Sequence, residues 1–157
     1  MFRKMFTSFV LSSLIIILSS CAAANSYYFS KNFNTDEIVT ATVGSPLLHF
    51  ESGTFNTIYN KVIDGLVSEL YYSGSDGNVV YLTYKEFQKK ITGSYIRDSF
   101  GQELKYDISK SKIISFRNLK IEIIEANSNE ITAKVIEYPS ANFIKQGYSE
   151  IPIEQVE

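Results

Sequence analysis

Leu66-Val67-Ser68-Glu69-Leu70-Tyr71-Tyr72 and Val79-Val80-Tyr81-Leu82-Thr83-Tyr84 stand on either side of Ser73-Gly74-Ser75-Asp76-Gly77-Asn78. Two runs rich in β-branched and aromatic residues around a Gly/Asp/Asn connection predict a β-hairpin. Both arms are apolar on both faces near their middles, so they belong in the interior of a sheet rather than at its edge. After the second arm, Lys85 to Arg97 sets Phe87, Ile91, Tyr95 and Ile96 among Lys and Gln residues. That mixture suggests a short helix or an irregular crossover.

The same reading extends outward. Leu119, Ile121 and Ile123 alternate with Lys120 and Glu122; Ile131, Ala133 and Val135 alternate with Thr132 and Lys134. With Ala126-Asn127-Ser128-Asn129 between them, these form a hairpin with one wet face. Ile113-Ile114-Ser115-Phe116 is a further strand, and Ile38 to Val43 alternates as a half-buried one. Leu47 to Phe50 is a short apolar run, and Phe55 to Val62 reads as strand or loop. No helix–strand rhythm is present that would argue for a parallel sheet. The fold class expected is mainly β, an antiparallel β-sandwich or barrel-like domain over residues 27–137 that follows an N-terminal signal helix. Residues 138–157 contain Pro139 and Pro152 and no clean period, which predicts a loosely ordered extension.

The N-terminus carries a different signal. Arg3 and Lys4 precede an apolar run from Phe6 to Leu18, which is short of the ~20 apolar residues of a membrane span. A basic flank, a short apolar segment and small residues before a cleavage point mark a targeting segment, residues 1–20, outside the fold. Leu18-Ser19-Ser20-Cys21 resembles the lipobox of bacterial lipoproteins. By that resemblance Cys21 would carry a diacylglyceryl group, usually joined by an N-acyl chain. The mature chain would begin there, with residues 21–26 as a short lipidated tether. The expected location is the bacterial cell envelope, with the membrane itself as a partner through the lipid on Cys21. Ala22 is not the aspartate that favours inner-membrane retention in enteric-type sorting, so the outer membrane is the expected side.

Composition narrows the function classes. Removing Arg3 and Lys4 from the 15 basic residues leaves 13 against 17 acidic ones, a net charge of −4 with no basic run. Nucleic acid and polybasic membrane binding are not indicated. Cys21 is the single cysteine, so no disulfide can form within the chain and the core must hold the fold.

A second resemblance rests on Glu69-Leu70-x-Tyr72-x-Gly74-x-x-Gly77, Tyr84-Lys85-Glu86-Phe87, Arg97-x-x-Phe100-x-Gln102-x-Leu104-x-Tyr106-Asp107 and Ile123-Ile124-Glu125-Ala126-Asn127. These residues are similar to a group of bacterial lipoproteins of unknown function. In that group a basic residue, most often arginine, stands at the position of Lys85. The resemblance implies one exported β-rich domain and no assigned activity.

Four charged residues lie amid apolar segments: Glu69, Glu86, Arg97 and Asp107. Paired carboxylates could do acid–base work. An internal salt-bridge network, with Arg97 serving Glu86 or Glu69, is the favoured reading because no nucleophile or metal cluster accompanies them. His49 is the sole histidine and reads as a partly buried strand residue rather than a ligand. No Gly-x-Ser-x-Gly elbow is present, and Gly74-Ser75-Asp76-Gly77 lacks the residues of a phosphate or calcium loop. Tyr28, Tyr71, Tyr72, Tyr81, Tyr84 and Tyr106 are either core and cross-strand packing or a platform for a partner. No catalytic residue, metal or cofactor is expected. The functional expectation is a non-enzymatic interaction or assembly module meeting another envelope protein. The alternative is a small-ligand or lipid carrier with a β-enclosed cavity. An enzyme acting through Glu69 and Glu86 is the third reading.

Overall fold

A computed structural model describes residues 24–91, 93–138 and 140–156, with the side chains of residues 93–100 and 141 left outside the description. The expected signal segment 1–20 and Cys21 also lie outside the described residues. The rest is mainly β, in two open sheets and not a closed barrel. The first sheet holds β1 (Asn25–Lys31), β3 (Pro46–Asn56), β4 (Lys61–Asp76), β5 (Val79–Lys90), β6 (Gly93–Asp107) and β10 (Ser149–Glu150), in the order β10-β1-β3-β4-β5-β6. The second holds β2 (Ile38–Thr42), β7 (Ile113–Phe116), β8 (Leu119–Ala126) and β9 (Glu130–Glu137), in the order β2-β9-β8-β7.

The β4–β5 hairpin stands where its sequence put it, flanked by β3 and β6. Its connection is tighter than six residues. Asp76 pairs with Val79, leaving Gly77 and Asn78 as the turn, and Gly77 has a φ of 59° that favours glycine. At the other end the structure corrects the sequence. Lys85 to Lys90 is neither helix nor crossover but the continuation of β5, paired with β4 on one side and β6 on the other. The Lys and Gln residues mimic a helix surface. On a strand they divide by parity: Lys85, Phe87 and Lys89 lie on the outer face, and Glu86 and Gln88 on the face towards the second sheet.

Alternation places one face of each sheet in a shared core. Leu48, Leu70, Tyr72, Val80, Leu82, Tyr84 and Leu104 come from the first sheet; Ala41, Ile114, Leu119, Ile121, Ile123, Ile131, Ala133 and Val135 come from the second. Burying a Leu or Ile side chain contributes about 1.5–3 kcal/mol, so this interface dominates stability. Tyr72 donates its hydroxyl to the Asn127 carbonyl in the β8–β9 turn, and Tyr106 donates to the Ser115 carbonyl of β7 at 3.3 Å. Polar tips thereby fasten one sheet to the other.

Within 138–157, expected to be a loose extension, the described residues add a short strand to the edge of the first sheet. After a short helix, α1 (Ser140–Lys145), β10 pairs with β1 in parallel. The sheet is therefore antiparallel except at this edge. Phe143 of α1 stacks on Phe29 with centroids 5.2 Å apart. Ile151, Ile153 and Val156 then pack with Tyr28, Phe55 and Val62 in a second apolar cluster. Aromatic and aliphatic burial orders this segment, which has no period because it is mostly not a strand.

Candidate functional site

Two buried carboxylates organise the polar chemistry, and they lie on opposite faces of the first sheet. Strand periodicity decides this. Phe50 pairs with Ser68 and Ser68 with Glu86, whereas His49 pairs with Glu69 and Glu51 with Val67. Between the register shifts at Pro46/Leu48 and Thr54/Phe55, odd positions of β3 and their partners on β4 face outward and even positions face the second sheet.

On the outer face, Glu51 is 2% exposed. Tyr28 donates its hydroxyl to Glu51 Oε1 at 3.1 Å, Lys89 Nζ lies 3.3 Å from Oε2, and His49 Nε2 lies 3.9 Å from Oε2. The opposite ring nitrogen, His49 Nδ1, is 3.0 Å from Glu69 Oε1, and Tyr71 donates to Glu69 Oε2. Lys89 also donates to the Val156 carbonyl, so the C-terminal segment closes over this centre. Glycines make the approach possible. Gly53 faces Gly65 across β3 and β4; a Cβ on Gly53 would collide with the Asp64 carbonyl, and one on Gly65 would stand 2.9 Å from the Tyr28 hydroxyl.

The electrostatics follow from this arrangement. The carboxylates of Glu51 and Glu69 on either side of the ring push the His49 pKa up from 6.5 to about 9, against the opposing effect of burial. Burial would raise the Glu51 carboxyl, but His49, Lys89 and Tyr28 hold it below the usual carboxylate range. His49 chiefly, with Tyr71 and Lys85, lowers Glu69 as well. Burial and then Glu69 push Tyr71 up to about 12. The two carboxylates thus favour the protonated imidazole at neutral pH. Its Nε2 has no hydrogen-bond partner among the described residues. His49, Glu51, Val67, Glu69, Tyr71, Phe87 and Lys89 line a recess of about 300 Å³.

On the inner face, Glu86 is 3% exposed. Tyr84 donates to Glu86 Oε1 at 2.7 Å and lies 2.9 Å from Ser68 Oγ. Arg117 Nη1 reaches across from the second sheet, 2.5 Å from Glu86 Oε1 and 2.8 Å from the Tyr84 hydroxyl, with its guanidinium 4.6 Å from the Tyr84 ring centre. Arg117 and Asn118 form the two-residue turn between β7 and β8, both with positive φ. That turn matches strand twist, although arginine is an uncommon occupant of it.

Of the four charged residues singled out from sequence, the three whose side chains are described, Glu69, Glu86 and Asp107, stand apart from one another. Glu69 belongs to the outer centre and Glu86 to the inner one. Their side chains make separate sets of partners, so they are not a paired-carboxylate site. Asp107 accepts from the Ser109 amide at 3.1 Å and its hydroxyl at 2.6 Å, and sits 3.3 Å from Lys110, which makes it a turn residue. The Arg97 side chain lies outside the described residues; its backbone is in β6, where a register shift sets residues 97–100 opposite Glu86. Sequence reasoning missed Glu51, Lys89 and Arg117. Glu51 had a signal: it stands two residues from His49 on a strand, hence on the same face. The tyrosines divide. Tyr28, Tyr72 and Tyr84 are buried, whereas Tyr71, Tyr81 and Tyr106 are partly exposed. Among the described residues no group of three or more His, Cys, Asp or Glu is placed to hold a metal ion, and no helix is long and apolar enough to cross a membrane. Comparison with family models, with curated proteins and with solved structures found no match.

Proposed function

We propose that this chain is a lipid-anchored protein of the bacterial envelope, held through Cys21 after removal of residues 1–20, with the outer membrane as its site. Its two sheets act as a sandwich that serves as a non-enzymatic interaction module for another envelope protein. The observation that carries the reading is the outward face of β4, β5 and β6. Tyr71 and Tyr81 lie there with Lys85 Nζ 4.1 Å from the Tyr71 ring centre and Lys105 Nζ 5.5 Å from that of Tyr81. The C-terminal segment packs over Tyr28, Phe55 and Val62 on this face, at the other end of the strands from Tyr81. Tyrosines held in place by cations offer large contact area at little entropic cost, the feature of interface hot spots. The polar centres support a non-catalytic reading, since Glu51, Glu69 and Glu86 are each occupied by cations and hydroxyls of the same chain.

The carrier reading has one observation on its side, the outer recess of about 300 Å³. It sits at the bottom of the ~300–1,000 Å³ range of ligand pockets. The space bounded by Tyr84, Glu86, Arg117 and Phe143 is about 200 Å³, too small for a lipid.

Photo-crosslinking in cells tests the proposal. A photoreactive residue at Tyr81 is compared with one at Thr132 in the second sheet, each with and without Cys21→Ala. One stoichiometric adduct from position 81 that disappears with Cys21→Ala is the expected result. Diffuse neighbours from both positions, or a small molecule co-purifying with the protein, would transfer support to the carrier.

A further inference from the structure

One end of the first sheet carries apolar side chains that the core does not use. Ile58 is 70% exposed and Tyr59 73% exposed in the turn between β3 and β4; Ile91, in the turn after β5, is 64% exposed. The two turns are neighbours on the same end, since the Ile91 amide bonds the Ile63 carbonyl near the start of β4. This end is held rigidly. Asn56 is 9% exposed, and its Oδ1 accepts from the amides of Ile58 at 3.0 Å and Tyr59 at 2.9 Å. Its Nδ2 donates to Asn25 Oδ1 at 2.8 Å, and the Thr57 amide and hydroxyl both donate to the Ala24 carbonyl. The turn that presents Ile58 and Tyr59 is thus fastened to the first described residues of the chain.

Those residues lead directly to Cys21. Only Ala22 and Ala23 separate Cys21 from Ala24, three steps that span at most about 11 Å when fully extended. A lipid on Cys21 would therefore bring this end, and not the Gly77–Asn78 end, to the membrane. Aromatic and aliphatic side chains beside lysine ammonium groups are the composition of an interfacial segment. Lys61 begins β4 at this end, an ammonium placed where it can meet anionic headgroups.

We propose that Ile58, Tyr59 and Ile91 enter the headgroup–acyl boundary of the membrane that holds the Cys21 lipid. The inference rests on the lipid anchor proposed above and goes beyond it. The tether becomes a fixed mount, and the first sheet stands with its strands rising from the surface. At about 3.3 Å per residue the 16-residue β4 would carry the Gly77–Asn78 turn roughly 50 Å from the lipid. The Tyr81 face would then be presented well above the membrane. The commitment is to lipid; docking of this end on a protein is the competing outcome.

The chain contains no tryptophan, so a single introduced one reports its own surroundings. Full-length protein with Tyr59→Trp, Ile58→Trp or Asn78→Trp is reconstituted into vesicles of phosphatidylethanolamine and phosphatidylglycerol, with and without brominated acyl chains. Mass spectrometry records the diacylglyceryl group on Cys21. The expected result is blue-shifted emission and several-fold stronger bromine quenching at positions 58 and 59 than at 78. Equal, water-like emission at all three positions on protein whose Cys21 carries the lipid would overturn the membrane-docked end and leave the anchor standing. An unmodified Cys21 would overturn the anchor, and this inference with it. All three positions are exposed turn residues, and circular dichroism identical to the parent chain confirms that each variant is folded.

Discussion

Glu51 and Glu86 are buried to the same degree, on opposite faces of one sheet, and are neutralised in different ways. Glu86 faces the second sheet and receives a guanidinium from the β7–β8 turn, so its ion pair is also a bond between sheets. Glu51 faces outward and is neutralised from its own sheet, by Lys89 and by the His49 cation, beneath the C-terminal segment. The inner centre joins two bodies through a permanently charged partner. The outer centre joins a sheet to its own cover through a partner that titrates. Burial alone does not decide what a charge does; the element that supplies the counter-charge does.

Removing the outer cation should have the largest effect. Lys89→Met keeps most of the aliphatic stem but leaves Glu51 with the His49 cation and the Tyr28 hydroxyl, and takes the donor from Val156. Breaking one partner of a buried pair costs about 3–5 kcal/mol, and with His49 still present the lower end, about 3 kcal/mol, is expected in urea denaturation. Faster proteolysis within residues 151–156 should accompany it. A loss below about 1 kcal/mol would mean that the cover, not the charge, stabilises Glu51.

The pH dependence separates the two centres next. Because the folded pKa of His49 is raised, its contribution is fully present below 6.5 and is lost as pH rises through about 9. A shift of this size, reduced for solvent screening at a partly open site, corresponds to about 2 kcal/mol. Urea midpoints should therefore fall across that window in the parent chain, and His49→Gln should flatten the profile. A fall of equal size in His49→Gln would assign the effect to another group. Glu51 and Glu69 act at the other extreme, since lowered carboxyls lose their stabilisation as pH drops below the ordinary 4.5.

The smallest effect should come from Arg117→Leu. The guanidinium is 44% exposed, so water can partly replace it beside Glu86, and about 1–2 kcal/mol is expected with no change in the profile between pH 6.5 and 9. A loss exceeding that of Lys89→Met would reverse the ranking of the two centres.

Hairpins were legible in the chain because strand alternation and turn residues are local signals. The β8–β9 pair and both arms of β4–β5 were read from a few consecutive residues each. The continuation of β5 through Lys90 was not, because long amphipathic side chains suit a wet strand face and a helix surface equally. The ordered C-terminus was illegible for another reason. Phe143, Ile151 and Val156 find partners in β1 and β3, more than a hundred residues earlier, and nothing in their own spacing reports that.

By itself the sequence determined the mainly β class, the central hairpin, the absence of any disulfide in the chain and the charge balance, all properties of composition or short spacing. Only tertiary structure decided which charges meet. Glu69 and Glu86 look like a pair in the chain, yet the pleat sends them to opposite faces. Glu86 meets Arg117, 31 residues away, because one sheet lies on the other. His49 meets Glu69 because the β3–β4 register sets them opposite each other. Register and sheet packing are settled by the whole core at once, so the chemistry of each polar centre exists only after the two sheets have closed.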